Sequence, residues 1–118
     1  MSGHESLVVQ ALARRESWVE LDERRAVKIR RPAETELATI GRALSLDKLV
    51  ACVVGWRGFT LADAIGEGET ALDFDAELWR VLAADSVVWS TKVAEAVAAA
   101  VGERARAAEA AAGNSLPS

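Results

Sequence analysis

The chain has 118 residues, 51% of them hydrophobic, with 14 basic and 18 acidic side chains and a net charge of −4. That is enough apolar material for one folded core, and the single cysteine, Cys52, excludes an intrachain disulfide framework and fits a reducing compartment. No stretch approaches the ~18 uninterrupted apolar residues of a membrane span, and the opening MSGHES lacks the regions of a signal peptide, so a soluble cytoplasmic protein is expected.

Charge is unevenly placed. Residues 1–31 carry seven Lys or Arg against five acids, whereas residues 32–118 carry seven against thirteen. An acidic protein is a poor general binder of nucleic acid, so any such role would have to sit on the N-terminal part.

Within residues 1–16, Leu7, Val8, Ala11 and Leu12 fall at helical spacing, with Arg14 and Arg15 near the end where the helix dipole favours cations. This predicts a short N-terminal helix or arm. The period then changes. Val19 and Leu21 alternate with Trp18 and Glu20, and Val27 and Ile29 with Lys28 and Arg30, as in two half-buried strands of a hairpin over 17–31. Pairing Leu21 with Val27 and Val19 with Ile29 places all four on one face. It sets Glu20 opposite Lys28 and Trp18 opposite Arg30, across a five-residue loop 22–26.

Pro32 ends the second strand and suits the first turn of a helix over 33–44, whose apolar face holds Ala33, Leu37, Ile40 and Leu44. A second helix is expected over 46–57, capped by Ser45 and stopped by Gly58. Leu49, Cys52, Val53 and Trp56 form its stripe and Val50 and Val54 a second row, which assigns it to the core with Gly55 permitting close approach. The β-branched run 50–54 is also compatible with a buried strand; the longer stripe favours helix.

Thr60 to Asp63 matches a capping box, so a short helix to Ile65 should precede Gly66, followed by an acidic loop. Asp75 as N-cap puts Phe74 and Trp79 at the two positions of a hydrophobic staple, starting a helix over 76–84. Asp85 would cap a last helix over 86–112, in which Trp89, Val93, Val97 and Val101 recur at i, i+4 and Gly113 is the stop. Residues 113–118 should be a disordered tail. The expected fold is mainly α with a small N-terminal β-hairpin, one compact α+β domain with a long C-terminal helix.

Catalytic machinery is hard to find. His4 is the single histidine, which removes histidine triads and multi-histidine metal sites, and no serine lies in a nucleophile elbow. Gly66-Glu67-Gly68 lacks the lysine of a phosphate loop. Asp63, Glu67, Glu69, Asp73 and Asp75 do not follow calcium-loop spacing and read as caps and solvated charge. No catalytic, metal or cofactor residues are assigned, and no enzyme is expected. Two surfaces remain as binding candidates. One is the basic run Arg24, Arg25, Lys28, Arg30 and Arg31, suited to phosphate or an acidic partner, including an acidic region of a second copy. The other is the stripe Trp89, Val93, Val97 and Val101, more than so small a domain can cover. Trp56, Phe74 and Trp79 are placed in the core with Leu49, Cys52 and Val53.

The order of these motifs resembles a known family. A hairpin ends in V-K-I-R-R-P at residues 27–32; a helix follows, then V-V-G-W-R-G at 53–58, an acidic insert, and Phe74-Asp75 opening an acidic helix. The chain looks like the small tail assembly chaperones of tailed bacteriophages and prophages over residues 17–100. It departs from them in having Leu72-Asp73 where a proline is common, and in a longer insert. The resemblance implies a non-enzymatic protein that binds the hydrophobic tape measure protein in the bacterial cytoplasm and is absent from the mature virion. A structural head–tail adaptor or tail-completion subunit, and a small nucleic-acid-binding regulator using the basic hairpin, are the alternatives. Nucleic acid is the less expected partner, and no membrane is implied.

Overall fold

The computed structural model describes the backbone of residues 3–40 and 46–115 and the side chains of 6–37 and 47–112. In chain order the elements are α1 (Gly3–Ala13), β1 (Glu16–Glu20), β2 (Ala26–Arg30), α2 (Glu34–Ile40), α3 (Leu46–Val50), β3 (Val53–Arg57), α4 (Leu61–Ile65), α5 (Ala76–Ala84) and α6 (Val87–Ser115). The strands form one antiparallel sheet in the order β1-β2-β3. Helix α6 lies along it, packed also against α3 and α5. The expected α+β domain with a long C-terminal helix is therefore present, with one strand more than anticipated. Ser45 as a cap, residues 41–44 of the predicted 33–44 helix and the end of the tail, 116–118, lie outside the described residues.

The extra strand replaces most of the predicted 46–57 helix. Only α3 is helical; Ala51 and Cys52 turn the chain, and β3 pairs with β2. Val53 stands opposite Ile29 and Gly55 opposite Lys28, so Val54 is an extra residue, a β-bulge. A bulge breaks the two-residue alternation. Val53 and Trp56, three apart, therefore both point into the core, and this spacing imitates one turn of helix. The β-branched composition was the truer signal.

The hairpin forms with its faces as expected but two residues out of the predicted register. Val19 lies opposite Val27, Trp18 opposite Lys28 and Glu16 opposite Arg30. The cause is Asp22. Its Oδ1 accepts from the backbone N–H of Arg24 at 2.9 Å and of Arg25 at 2.7 Å, while the Leu21 N–H donates to the Arg25 carbonyl at 2.9 Å. This shortens the loop to residues 22–24. A slip of two keeps Leu21, Val27 and Ile29 on the buried side.

Of the two glycines in 53–58, the one that must be glycine is Gly58, not Gly55. Gly58 has φ +82°, and a Cβ there would stand 2.0 Å from the Arg24 carbonyl oxygen. A Cβ on Gly55 would meet the Lys28 Cβ at an ordinary 3.5 Å.

Beyond β3 the expected caps of α4 and α5 form, and three other local expectations do not. Thr60 and Asp63 form the capping box of α4, and Gly66 ends it in the left-handed conformation. The Asp75 carboxylate caps α5 by accepting from the Leu78 N–H at 2.9 Å. The staple is rearranged: Phe74 meets the edge of Trp56 at 5.2 Å, and the ring edge-on to Trp79 is Phe59, at 6.3 Å. Asp85 is the C-cap of α5, not the N-cap of α6; Ser86 serves there, its Oγ accepting from the Trp89 N–H at 3.2 Å. Helix α6 runs through Gly113 to Ser115, so residues 113–115 are helical rather than tail.

The core joins both layers. Leu21, Val27, Ile29, Val53, Trp56, Phe59, Trp79, Ala83, Val93 and Val97 are buried together. Leu49, Cys52 and Phe74 pack at its margin, as their assignment to the core requires. Trp79 donates its indole N–H to the Val50 carbonyl at 3.0 Å, and Trp56 donates to Leu72 at 2.8 Å, so neither ring buries an unpaired donor.

Candidate interaction surfaces

The proposed partner stripe on α6 is mostly consumed by the fold. Val93 and Val97 are fully buried, and Trp89 and Val101 pack against the same core. Packing of α6 against α3, α5 and the strands β1 and β2 accounts for this. Of the four residues singled out, none is an exposed anchor for a partner.

The basic run is also divided, by the strand geometry that creates it. Arg24 and Arg25 sit at the turn end of the hairpin, Lys28 and Arg30 on the outer sheet face, and Arg31 at the open end. Arg25 is held fast. Its guanidinium bonds Asp63 through Nε at 3.0 Å and through Nη2, reaches Asp22 through Nη1 at 2.6 Å, and lies 5.4 Å from the Trp89 ring centroid. The hydrogen bond that Arg25 donates to the Asp63 carboxylate is the main reason that the Arg25 pKa is raised. Burial works to raise the Asp63 carboxyl, but the bonds from Arg25 and the Thr60 N–H and the charges of Arg25 and Arg24 outweigh it, leaving it below its ordinary value. Asp22 is lowered as well: a desolvation penalty is overcome by the Arg25 and Arg24 backbone N–H groups and the Arg25 side chain. On the outer face, Arg30 pairs with Glu16 at 2.6 Å, and Lys28 lies 4.0 Å from the same carboxylate. Trp18 is flanked there by Lys28 and Arg57, at 5.5 and 4.6 Å from its ring centroid. These five basic residues do not make one patch.

Cys52 is half-buried, with Sγ 3.4 Å from the Lys48 carbonyl. Burial, and then the Glu36 charge, push the thiol pKa up, which suits packing rather than nucleophilic chemistry. Among the described residues, no group of three or more His, Cys, Asp or Glu could hold a metal ion, and no helix is long and apolar enough to cross a membrane.

Two surfaces escaped the sequence reading. The first is apolar: Val81 near the end of α5, and Val87 and Val88 at the start of α6, are 63, 81 and 61% exposed around the α5–α6 turn. They fall outside the stripes Leu78–Trp79–Leu82 and Trp89–Val93–Val97, and that misfit was the available signal. Leu7, Val8 and Val9 add exposed apolar area on α1. The second is charged. A groove of about 660 Å³ opens between the end of α1, the start of β1 and the middle of α6, with Arg14, Arg15, Arg31 and Arg104 around its Ala11 and Ala100.

Comparison with known proteins yields no matching protein family, no matching curated protein and no matching solved structure.

Proposed function

We propose that this chain is a non-enzymatic tail assembly chaperone of a tailed bacteriophage or prophage, acting in the host cytoplasm on the tape measure protein. The reading rests on the motif resemblance. Its motifs coincide here with points where the backbone is constrained: the end of β2 before Pro32, the β3 bulge leading to the Gly58 turn, and the Asp75 cap of α5.

The observation that carries the proposal is the exposed valine corner. Val81, Val87 and Val88 are large apolar side chains left in solvent on two adjoining helices, beside a well-filled core. Exposed apolar surface of this kind receives the apolar face of a partner helix. The binding role therefore moves from the middle of α6 to the α5–α6 turn.

Co-expression with the neighbouring tape measure gene tests the reading. The expected result is that the tape measure protein becomes soluble and co-purifies with this chain, and that Val81→Ser with Val87→Ser and Val88→Ser reduces its recovery without unfolding the chaperone. A tape measure protein that is soluble alone, or solubilised without co-purifying, overturns the proposal. Recovery of the chain in purified particles would instead favour a structural adaptor.

A further inference from the structure

We propose that the arginine groove receives the acidic segment 67–77 of a second copy, so that the chain associates head to tail in a salt-sensitive manner. The contact is independent of the tape measure reading, because it does not use the valine corner; it shares only Arg31 and Phe74-Asp75 with the resemblance motifs.

The groove has cations in excess of what the fold uses. Among the described residues Arg14 and Arg15 have no ion-pair partner, and the Arg31 guanidinium is bound only to the Pro32 carbonyl, at 2.9 Å. Glu16, which also lines the groove, is already committed to Arg30 and Lys28. Such forked, uncommitted guanidinium groups match carboxylates geometrically.

The complementary surface is on the same molecule, out of its own reach. Residues 58–79 contain no Lys or Arg, and Glu67, Glu69 and Asp73 are exposed with no ion-pair partner among the described residues. The segment is presented by backbone bonds at its two sides: the Leu61 N–H donates to Thr70 at 2.9 Å and the Leu72 N–H to Phe59 at 3.0 Å. It adjoins the turn end of the sheet, where Gly58 touches Arg24. The groove lies at the open end, with Glu16 and Arg31. Five-residue strands separate the two ends by about 17 Å, so each copy offers its acids at one end and its arginines at the other. A contact between unlike surfaces of identical chains is heterologous and extends in one direction.

Sedimentation equilibrium of the purified chain at about 20 mM and about 300 mM salt tests this, because screening shortens from ~20 Å to several Å across that range. The mass average should exceed the monomer at low salt and return to it at high salt. Two neutralised chains sharpen the test: Arg14→Gln with Arg15→Gln and Arg31→Gln, and separately Glu67→Gln with Glu69→Gln and Asp73→Asn. Each alone should be monomeric, while an equimolar mixture should stop at a one-to-one dimer, since only one complementary pair of surfaces remains. A synthetic peptide of residues 66–77 should dissociate the wild-type assembly, a readout that does not depend on either variant folding. Wild type that stays monomeric at low salt, a mixture that forms no dimer beside associating wild type, or an assembly indifferent to the peptide overturns the proposal. Groove binding of a DNA oligonucleotide by a chain that does not self-associate overturns it in favour of nucleic acid.

Discussion

The two ends of the sheet use arginine in opposite ways. At the turn end, Arg25 is tied to Asp22 and Asp63 and covers Trp89, and the chain passes so close that only Gly58 fits. At the open end, Arg14 and Arg15 reach into a groove without a carboxylate partner among the described residues. The same residue type is a fastening at one end and a free charge at the other. What separates them is the burial of the partner. Asp63 keeps only 7% side-chain exposure, so its pairing is shielded from the screening that makes most surface ion pairs nearly worthless. Substitutions should therefore be costly at the turn end and close to neutral at the open end.

The largest effect is expected at Gly58. Gly58→Ala would put a methyl group into the Arg24 carbonyl oxygen, at a φ that side chains rarely adopt. The strain and the clash together should cost about 3 kcal/mol or more. Gly55→Ala, three residues earlier, meets only ordinary contact with Lys28 and should change stability by less than about 1 kcal/mol. Urea denaturation of the two variants measures the contrast, and equal losses would mean that the backbone at Gly58 is not held against the hairpin turn.

Next comes the clamp itself. Asp63→Ala removes the Arg25 partner and half of the α4 capping box, and should cost about 2–3 kcal/mol. The pH dependence follows from the lowered Asp63 and Asp22 carboxyls. Below their ordinary value of 3.8 the unfolded chain takes up protons before the folded one does. Their contribution is thus complete above that value and is lost as pH falls through the folded-state values. Wild type should lose stability as pH falls below about 4 more steeply than Asp63→Asn; parallel curves would show that Asp63 is not the titrating group.

Those local features were the ones most legible from residues alone. Thr60 with Asp63, Asp75 at the start of α5, and the alternation of the hairpin act over a few positions, so one stretch contains the whole signal. The third strand was illegible for a specific reason. The bulge at Val54 brings Val53 and Trp56 to one face at helical spacing, and nothing within 46–57 reveals that β2 is waiting to pair with it. The α6 stripe misled for another reason: a chain this small was expected to cover only part of it, whereas α3, α5, β1 and β2 together bury Val93 and Val97. The basic run failed differently. Its five residues are close in sequence, but a hairpin sends them to its turn, its outer face and its open end, and Asp63, 38 positions from Arg25, claims one of them. The free arginines instead include Arg14 and Arg15, which read only as helix-ending charge.

An intermediate effect is expected on the outer sheet face. Trp18 is 44% exposed and lies between the Lys28 and Arg57 cations. Trp18→Ala should cost about 1 kcal/mol, from two partly solvated cation–aromatic contacts and modest burial, well short of the 3–5 kcal/mol typical of a buried tryptophan such as Trp79. A loss as large as that of Trp79→Ala in the same denaturation assay would mean that this face is covered in solution.

The smallest change should come from the open end. Arg14→Gln with Arg15→Gln removes two charges that touch no carboxylate among the described residues, so stability should stay within about 0.5 kcal/mol of wild type. Helix α1 makes the result informative. If its last turn depended on these cations to offset the dipole, the variant would lose helical circular dichroism and a few tenths of a kcal/mol. If they are simply unspent, the thermal midpoint should hold while salt-dependent association disappears. Loss of both together would erase the distinction between the two ends, since Arg14 and Arg15 would then fasten the fold as Arg25 does.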